Sequence, residues 1–161
     1  MTPLSILNHV VNQPEIRAAV APGFANLDME RFFDNPDNVM IGDMDGIVLF
    51  GGFGEGRYTI HFLFTEETRG PDALREIREA IKIMFTQFHA VAIYGETPRD
   101  NRACRAMGRA LGFVPIGDGV DAFGRPTKSY VLERALWATS LADSSGASVP
   151  SSAAARRNRL I

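Results

Sequence analysis

Residues 57–85 read RYTIHFLFTEETRGPDALREIREAIKIMF, and this run leaves few options for the fold. An apolar strand, Arg57 to Phe64, passes through a polar loop carrying Arg69 and Gly70 into a helix. On the strand, Tyr58, Ile60, Phe62 and Phe64 share one face, and Arg57, Thr59, His61 and Leu63 the other. On the helix, Leu74, Ile77, Ile81 and Met84 or Phe85 recur at helical spacing, with Arg75, Glu76, Arg78, Glu79 and Lys82 opposite. A glycine-bearing turn leaves unsatisfied N–H groups at the positive end of the helix dipole, which attracts anions. The segment Ala90–Tyr94 (AVAIY) is apolar throughout, as in a strand buried within a parallel sheet. Arg57–Tyr94 is therefore expected to form one right-handed β-loop-α-β crossover.

The flanking sequence builds around this unit. Helices are expected over Pro3–Val11, from Pro14 to near Pro22–Gly23, and from Asp28 to Phe33, where Asp28 is a candidate cap. Strands follow at Val39–Gly42 and Ile47–Phe53. Asp45–Gly46 and Gly54–Glu55–Gly56 supply the tight turns of an antiparallel meander ending in Arg57–Phe64. Past the crossover, Gly95–Asp100 reads as a loop and Asn101–Leu111 as a helix closed by Gly112. Phe113–Ile116 and Lys128–Glu133 read as strands, joined by a loop through Gly117, Gly119, Gly124 and Pro126. Residues 1–137 are expected to be one domain. Residues 138–161 are rich in Ser and Ala, cannot bury a core, and end in Arg156, Arg157 and Arg159.

Charge and cysteine usage remove several function classes. A net charge of −2 over 161 residues provides no global field for nucleic acid, so that partner is disfavoured. The basic tail is the local exception: it could meet an acidic protein partner that orders residues 138–161, or nucleic acid, or act as a solubilising extension. Cys104 is the only cysteine, so neither an internal disulfide nor a thiolate metal cluster can form. No metal site is expected. The N-terminus has neither a signal peptide pattern nor a membrane span, and a cytoplasmic location is expected.

The run Pro98–Phe113 reads PRDNRACRAMGRALGF. With the strand Ile60–Phe64 and the loop Thr68–Arg69–Gly70, it resembles the GNAT superfamily of acyl-CoA-dependent N-acyltransferases over Val39–Glu133. The resemblance implies an α/β fold: a mixed, mainly antiparallel sheet of about six or seven strands, within the usual sheet size, with helices on both faces. It implies acetyl-CoA as co-substrate and a primary amine, on a small molecule or a protein, as acceptor. Arg69, Gly70 and the amides of Asp72, Ala73 and Leu74 would cradle the CoA pyrophosphate. Phe62, Leu63 and Phe64 would present their strand edge to pantetheine, and Asn101 would contact the CoA arm.

Three positions depart from the family pattern. Pro71 and Asp72 stand where glycines are usual, so one N–H is lost and a carboxylate is added. Gly108 stands where many members carry a tyrosine general acid.

Acyl transfer needs a base for the ammonium. His61 titrates in the right range, and Glu66, or Glu67, could act through a water. Each also has an ordinary reading, as a hydrogen-bonded strand histidine or a solvated loop charge. Tyr94 is a candidate acid or a buried aromatic. Cys104 reads as packing. The arginines at 102, 105 and 109 could meet CoA phosphates or form a solvated face.

A second reading is a catalytically degenerate GNAT-fold structural or interaction protein. The chain loosely resembles GNAT-like proteins of tailed phages, which would place it in the host cytoplasm or the virion. A third is a small regulatory binder of CoA or another nucleotide.

Overall fold

The computed structural model describes residues 1–143; the stretch 144–161, with its basic end and any partner that would order it, lies outside the described residues. Helix α1 (Pro3–Val11) starts at Thr2, whose hydroxyl accepts the Ser5 N–H, with Pro3 in the first turn where no N–H is needed. Helix α2 (Pro14–Val20) follows, burying Ile16. The expected helix at Asp28–Phe33 is instead a 3-10 turn at Glu30–Asp34. Asp28 does accept the Glu30 N–H, but Asp34–Asn35–Pro36 cannot propagate a helix. The Asn38 amide locks the segment by donating to the Phe32 carbonyl and accepting from the Gly52 N–H.

Strands β1 (Val39–Asp43), β2 (Gly46–Gly52) and β3 (Arg57–Phe64) form the expected antiparallel meander. Its second turn holds Glu55 at φ 56° between Gly54 and Gly56, both also at positive φ. Helix α3 (Pro71–Thr86) crosses over, and β4 (Ala92–Pro98) pairs parallel to β3. Helix α4 (Arg102–Ala110), strands β5 (Val114–Val120) and β6 (Pro126–Glu133), and helix α5 (Arg134–Asp143) complete the order. The sheet has six strands in the order β1-β2-β3-β4-β6-β5.

The alternation along the strands sorts the core into two layers. Val48, Phe50, Ile60 and Ile93 face α3, whose Ile77, Ile81, Met84 and Phe85 they contact. Ile47, Leu49 and Leu63 face α1 and α2, against Leu7, Val10, Val11 and Ile16. Helices therefore cover both faces, as the strand periodicity requires. Burial of these side chains is the main stabilising term, about 1.5–3 kcal/mol for each large one.

Three expectations are corrected. The strand expected at Ala90–Tyr94 begins at Ala92, because the Val91 N–H is drawn into a turn contact with the Gly56 carbonyl at 2.7 Å. It also continues to Pro98, so Gly95–Pro98 is strand, not loop: β6 supplies a full antiparallel ladder there, which polar side chains do not interrupt. The long loop after Ile116 is likewise mostly strand, with a bulge between Pro115 and Gly117 and only residues 121–125 turning. Gly119 fits because a Cβ there would press on the Thr127 hydroxyl at 3.3 Å. The last described helix, α5, reaches Asp143, and its Trp137 ring packs on Phe85 with centroids 5.0 Å apart.

Candidate functional site

The β3–β4 ladder is short. Arg57, Tyr58 and Thr59 pair with Ala92, Ile93 and Tyr94, and pairing then stops. Beyond it, Ile60–Phe64 stays on β2 and Gly95–Pro98 stays on β6. Two parallel strands that keep their outer partners but lose each other form a fork. Its inner edges carry backbone N–H and C=O groups without a ladder partner among the described residues, which an extended polar chain can satisfy. The edge expected to face a ligand, Phe62 to Phe64, lies on this fork. Phe62 and Phe64 are half-buried toward α3, and Leu63 is buried toward α1.

His61 and Glu96 flank the fork on one face. Thr59 pairs with Tyr94, so the alternation puts Thr59, His61, Tyr94 and Glu96 on the side of α1 and α2. His61 lines a cavity of about 390 Å³ between that helical layer and β2–β3, with Asn38, Thr59, Val20 and Ala21 also in its wall. The imidazole is exposed toward this open cavity, yet protein surrounds it on the other sides. That desolvation lowers its pKa below the ordinary histidine value, against an opposing pull from the Glu96 carboxylate. A bound apolar group would strengthen the effect. The ring is held neutral near neutral pH, able to accept a proton. Glu96 was not expected at the site, because the polar run after Tyr94 read as a loop; the signal was its distance of two residues from Tyr94.

Glu66 stands elsewhere. It lies on the loop after β3, beside Arg69 at 3.8 Å with both side chains exposed, and does not line the cavity. Glu67 is also exposed, with its carboxylate lowered by hydrogen bonds from its own backbone and Thr65. Tyr94 stacks on Phe53 at 5.6 Å. Burial raises the Cys104 thiol, which keeps it protonated and fits the packing role.

The start of α3 is open. Gly70 is its N-cap at φ 65°, ψ −128°, and no side chain caps this end. A Cβ on Gly70 would meet nothing within 4 Å. The expected amide cradle narrows, since the Leu74 N–H already donates to the Gly70 carbonyl at 3.0 Å. Asp72 and Ala73 keep first-turn amides without a helical acceptor. The Asp72 carboxylate does not occupy that end: it accepts from the Arg75 guanidinium at 2.8 Å, along the helix side. This end can attract an anion, although with fewer donors than a glycine-rich loop would give.

At α4 the Asn101 side chain is the N-cap, accepting the Cys104 N–H at 3.0 Å. Arg102 and Arg109 are exposed. Arg105 is half-buried, and its Nε has no hydrogen-bond partner among the described residues. No cluster of three His, Cys, Asp or Glu side chains suited to a metal ion occurs among the described residues. No described helix is long and apolar enough to cross a membrane.

No protein-family model matches the sequence, and no curated protein matches it. Solved structures do. The spermidine N-acetyltransferase of Vibrio cholerae, in complex with CoA and spermine, superposes with a TM-score of 0.69 at 17 % identity, over 84 % of this chain and 92 % of that one. The fold is the GNAT acetyltransferase fold. An uncharacterised protein from Bacillus halodurans superposes with a TM-score of 0.69 at 13 % identity, over 87 % of this chain and 83 % of that one. The ribosomal-protein-S5-alanine acetyltransferase of Vibrio fischeri matches with a TM-score of 0.53 at 17 % identity, over 57 % of this chain. The chain spans 55 % of the length of that enzyme.

Proposed function

We infer that this chain is an acetyl-CoA-dependent N-acetyltransferase acting on a primary amine. The observation that carries the reading is the fork between β3 and β4, with His61 and Glu96 on one rim and the uncapped start of α3 at its end. Arg69, Gly70 and the amides of Asp72 and Ala73 would hold the pyrophosphate. The edge of Phe62, Leu63 and Phe64 would bond the pantetheine backbone. Asn101, already an N-cap, and Arg105, whose Nε has no partner among the described residues, would stand along the CoA arm.

Acetyl-CoA supplies the activated acyl group. An ammonium must lose a proton before its nitrogen can attack the acyl carbon. His61 is held neutral to take that proton, and Glu96 steadies the imidazolium that results. Glu66 serves this reading less well as a base than as the partner of Arg69.

Calorimetric titration with acetyl-CoA is the test. Binding in the micromolar to millimolar range typical of substrates is expected. No heat at millimolar ligand would overturn the reading.

The second reading keeps its own support. Gly108 offers no hydroxyl to the leaving thiolate, and Pro71 offers no amide to a phosphate. Those two positions favour a GNAT-fold structural or interaction module, of the kind a phage virion could carry. Acetyl-CoA binding separates the two readings, since such a module needs none.

A further inference from the structure

The cavity under α1 and α2 has a chemical character that narrows the acceptor. Its walls are Val11, Leu27, Met29, Phe32, Leu49 and Leu63. Its polar members are few and mostly engaged. Asn38 spends both ends of its amide on the backbone of Phe32 and Gly52. The Thr59 hydroxyl donates to the Gly51 carbonyl at 3.4 Å. His61 is the titratable residue in the lining, and no carboxylate lines the chamber. The Glu96 carboxylate acts on His61 from the fork side.

We propose that the acceptor is a monoamine with an apolar body, seated with that body in the chamber and its amino group at His61 and Glu96. This rests on the acetyl-transfer reading above and names its substrate class. The volume of about 390 Å³ falls within the range of small-molecule sites, about 300–1,000 Å³. A single ammonium at the fork finds a carboxylate and a neutral imidazole. A second ammonium carried into the chamber would be stripped of water without a counter-charge. Polyamines are therefore poor occupants, although the matched V. cholerae enzyme was solved with spermine. Alkyl or arylalkyl chains lose only water from apolar walls.

The probes are 2-phenylethylamine, 1-aminohexane and spermidine. Each is titrated calorimetrically into the full chain, and each is offered with acetyl-CoA while thiol release is followed. The expected result is monoamine binding, and kcat/KM at least tenfold higher for the two monoamines than for spermidine. Met29→Trp, which narrows the chamber, is expected to weaken 2-phenylethylamine binding at least tenfold, with acetyl-CoA binding and Tm kept as controls. Spermidine binding and turnover equal to or better than the monoamines would overturn the apolar-body assignment and leave acetyl transfer standing. Monoamine binding without thiol release supports the chamber assignment and overturns acetyl transfer. Absence of monoamine binding overturns the assignment, whatever is seen with acetyl-CoA.

Discussion

His61 on β3 and Glu96 on β4 stand on one face of the sheet, each two positions beyond the last paired residues, Thr59 and Tyr94. They are held apart by the fork and together by charge, since the Glu96 carboxylate counters the desolvation that lowers the imidazole pKa. An imidazole so placed has its proton affinity set by what fills the gap.

The pH dependence follows from that pair. The acid limb of kcat/KM is expected below the ordinary histidine value of about 6.5. Glu96→Gln removes the opposing pull, so the His61 titration, followed by the ring Cε1–H resonance, should move lower still. His61→Ala should cost about 10²–10⁴ in rate if the ring is the base. For stability the sign is the reverse of a salt-bridged histidine. The unfolded chain binds the proton more readily, so stability is full above about 6.5 and declines as pH falls toward the lower folded value. A melting curve that improves on acidification through that window would contradict the assignment.

Asn101 holds the start of α4. Asn101→Ala should lose about 0.5–2 kcal/mol of stability, and Asn101→Asp should keep most of it. Urea unfolding measures both. If Asn101 also touches the CoA arm, Asn101→Asp weakens acetyl-CoA binding with little change in urea midpoint; equal affinity in wild type and Asn101→Asp would leave it a cap alone.

Gly70 and the Glu66–Arg69 pair separate backbone from charge at the start of α3. Gly70→Ala forces a side chain into glycine territory at φ 65°, ψ −128°, a strain of about 1–3 kcal/mol. Glu66→Gln should leave stability within about 0.5 kcal/mol, as expected for an exposed pair. It should also tighten acetyl-CoA binding at low salt by freeing Arg69, an effect that shrinks as salt is added. A large drop in kcat with Glu66→Gln would instead make Glu66 the base.

Arg125 ties the β5–β6 turn to the cavity wall. Its guanidinium donates to Asp121 at 2.6 Å and to the Ala19 carbonyl at 3.1 Å, just before the wall residues Val20 and Ala21. Burial alone would raise the Asp121 carboxyl, but hydrogen bonds from Arg125 and the Phe123 amide outweigh it and hold it low. Its contribution to stability is present above the ordinary aspartate value of about 3.9 and fades as pH falls toward the folded value. Arg125→Ala should weaken amine binding more than acetyl-CoA binding. Equal loss of both would point to a general collapse.

Gly108 tests the missing acid. A Cβ there meets nothing within 4 Å, and glycine inside a helix costs about 1 kcal/mol relative to alanine. Gly108→Ala should raise Tm slightly. Gly108→Tyr should raise kcat if thiolate departure limits the rate; an unchanged kcat would place the limit elsewhere.

The meander, the crossover helix and the glycine turn were legible because periodicity and turn chemistry are local. Tyr58, Ile60, Phe62 and Phe64 alternate along Arg57–Phe64, and that alternation sends each side chain to its layer. The extent of β4 and β5 was not legible. Glu96, Thr97, Gly117 and Gly119 resemble loop residues until β6 supplies their ladder. For the same reason His61 could be singled out from its type, while Glu96 could not.

The sequence by itself determined which faces are apolar, where α1 to α4 start, and that an unsatisfied helix end follows the strand at Phe64. Only the tertiary structure decided that β3 and β4 part after Thr59 and Tyr94. It alone decided that Asp72 pairs with Arg75 instead of blocking the helix start. It alone decided that an apolar chamber opens beside His61. Local patterns are set by neighbours a few residues apart. A fork, a carboxylate's orientation and a cavity depend on contacts between segments far apart in sequence, which only packing brings together.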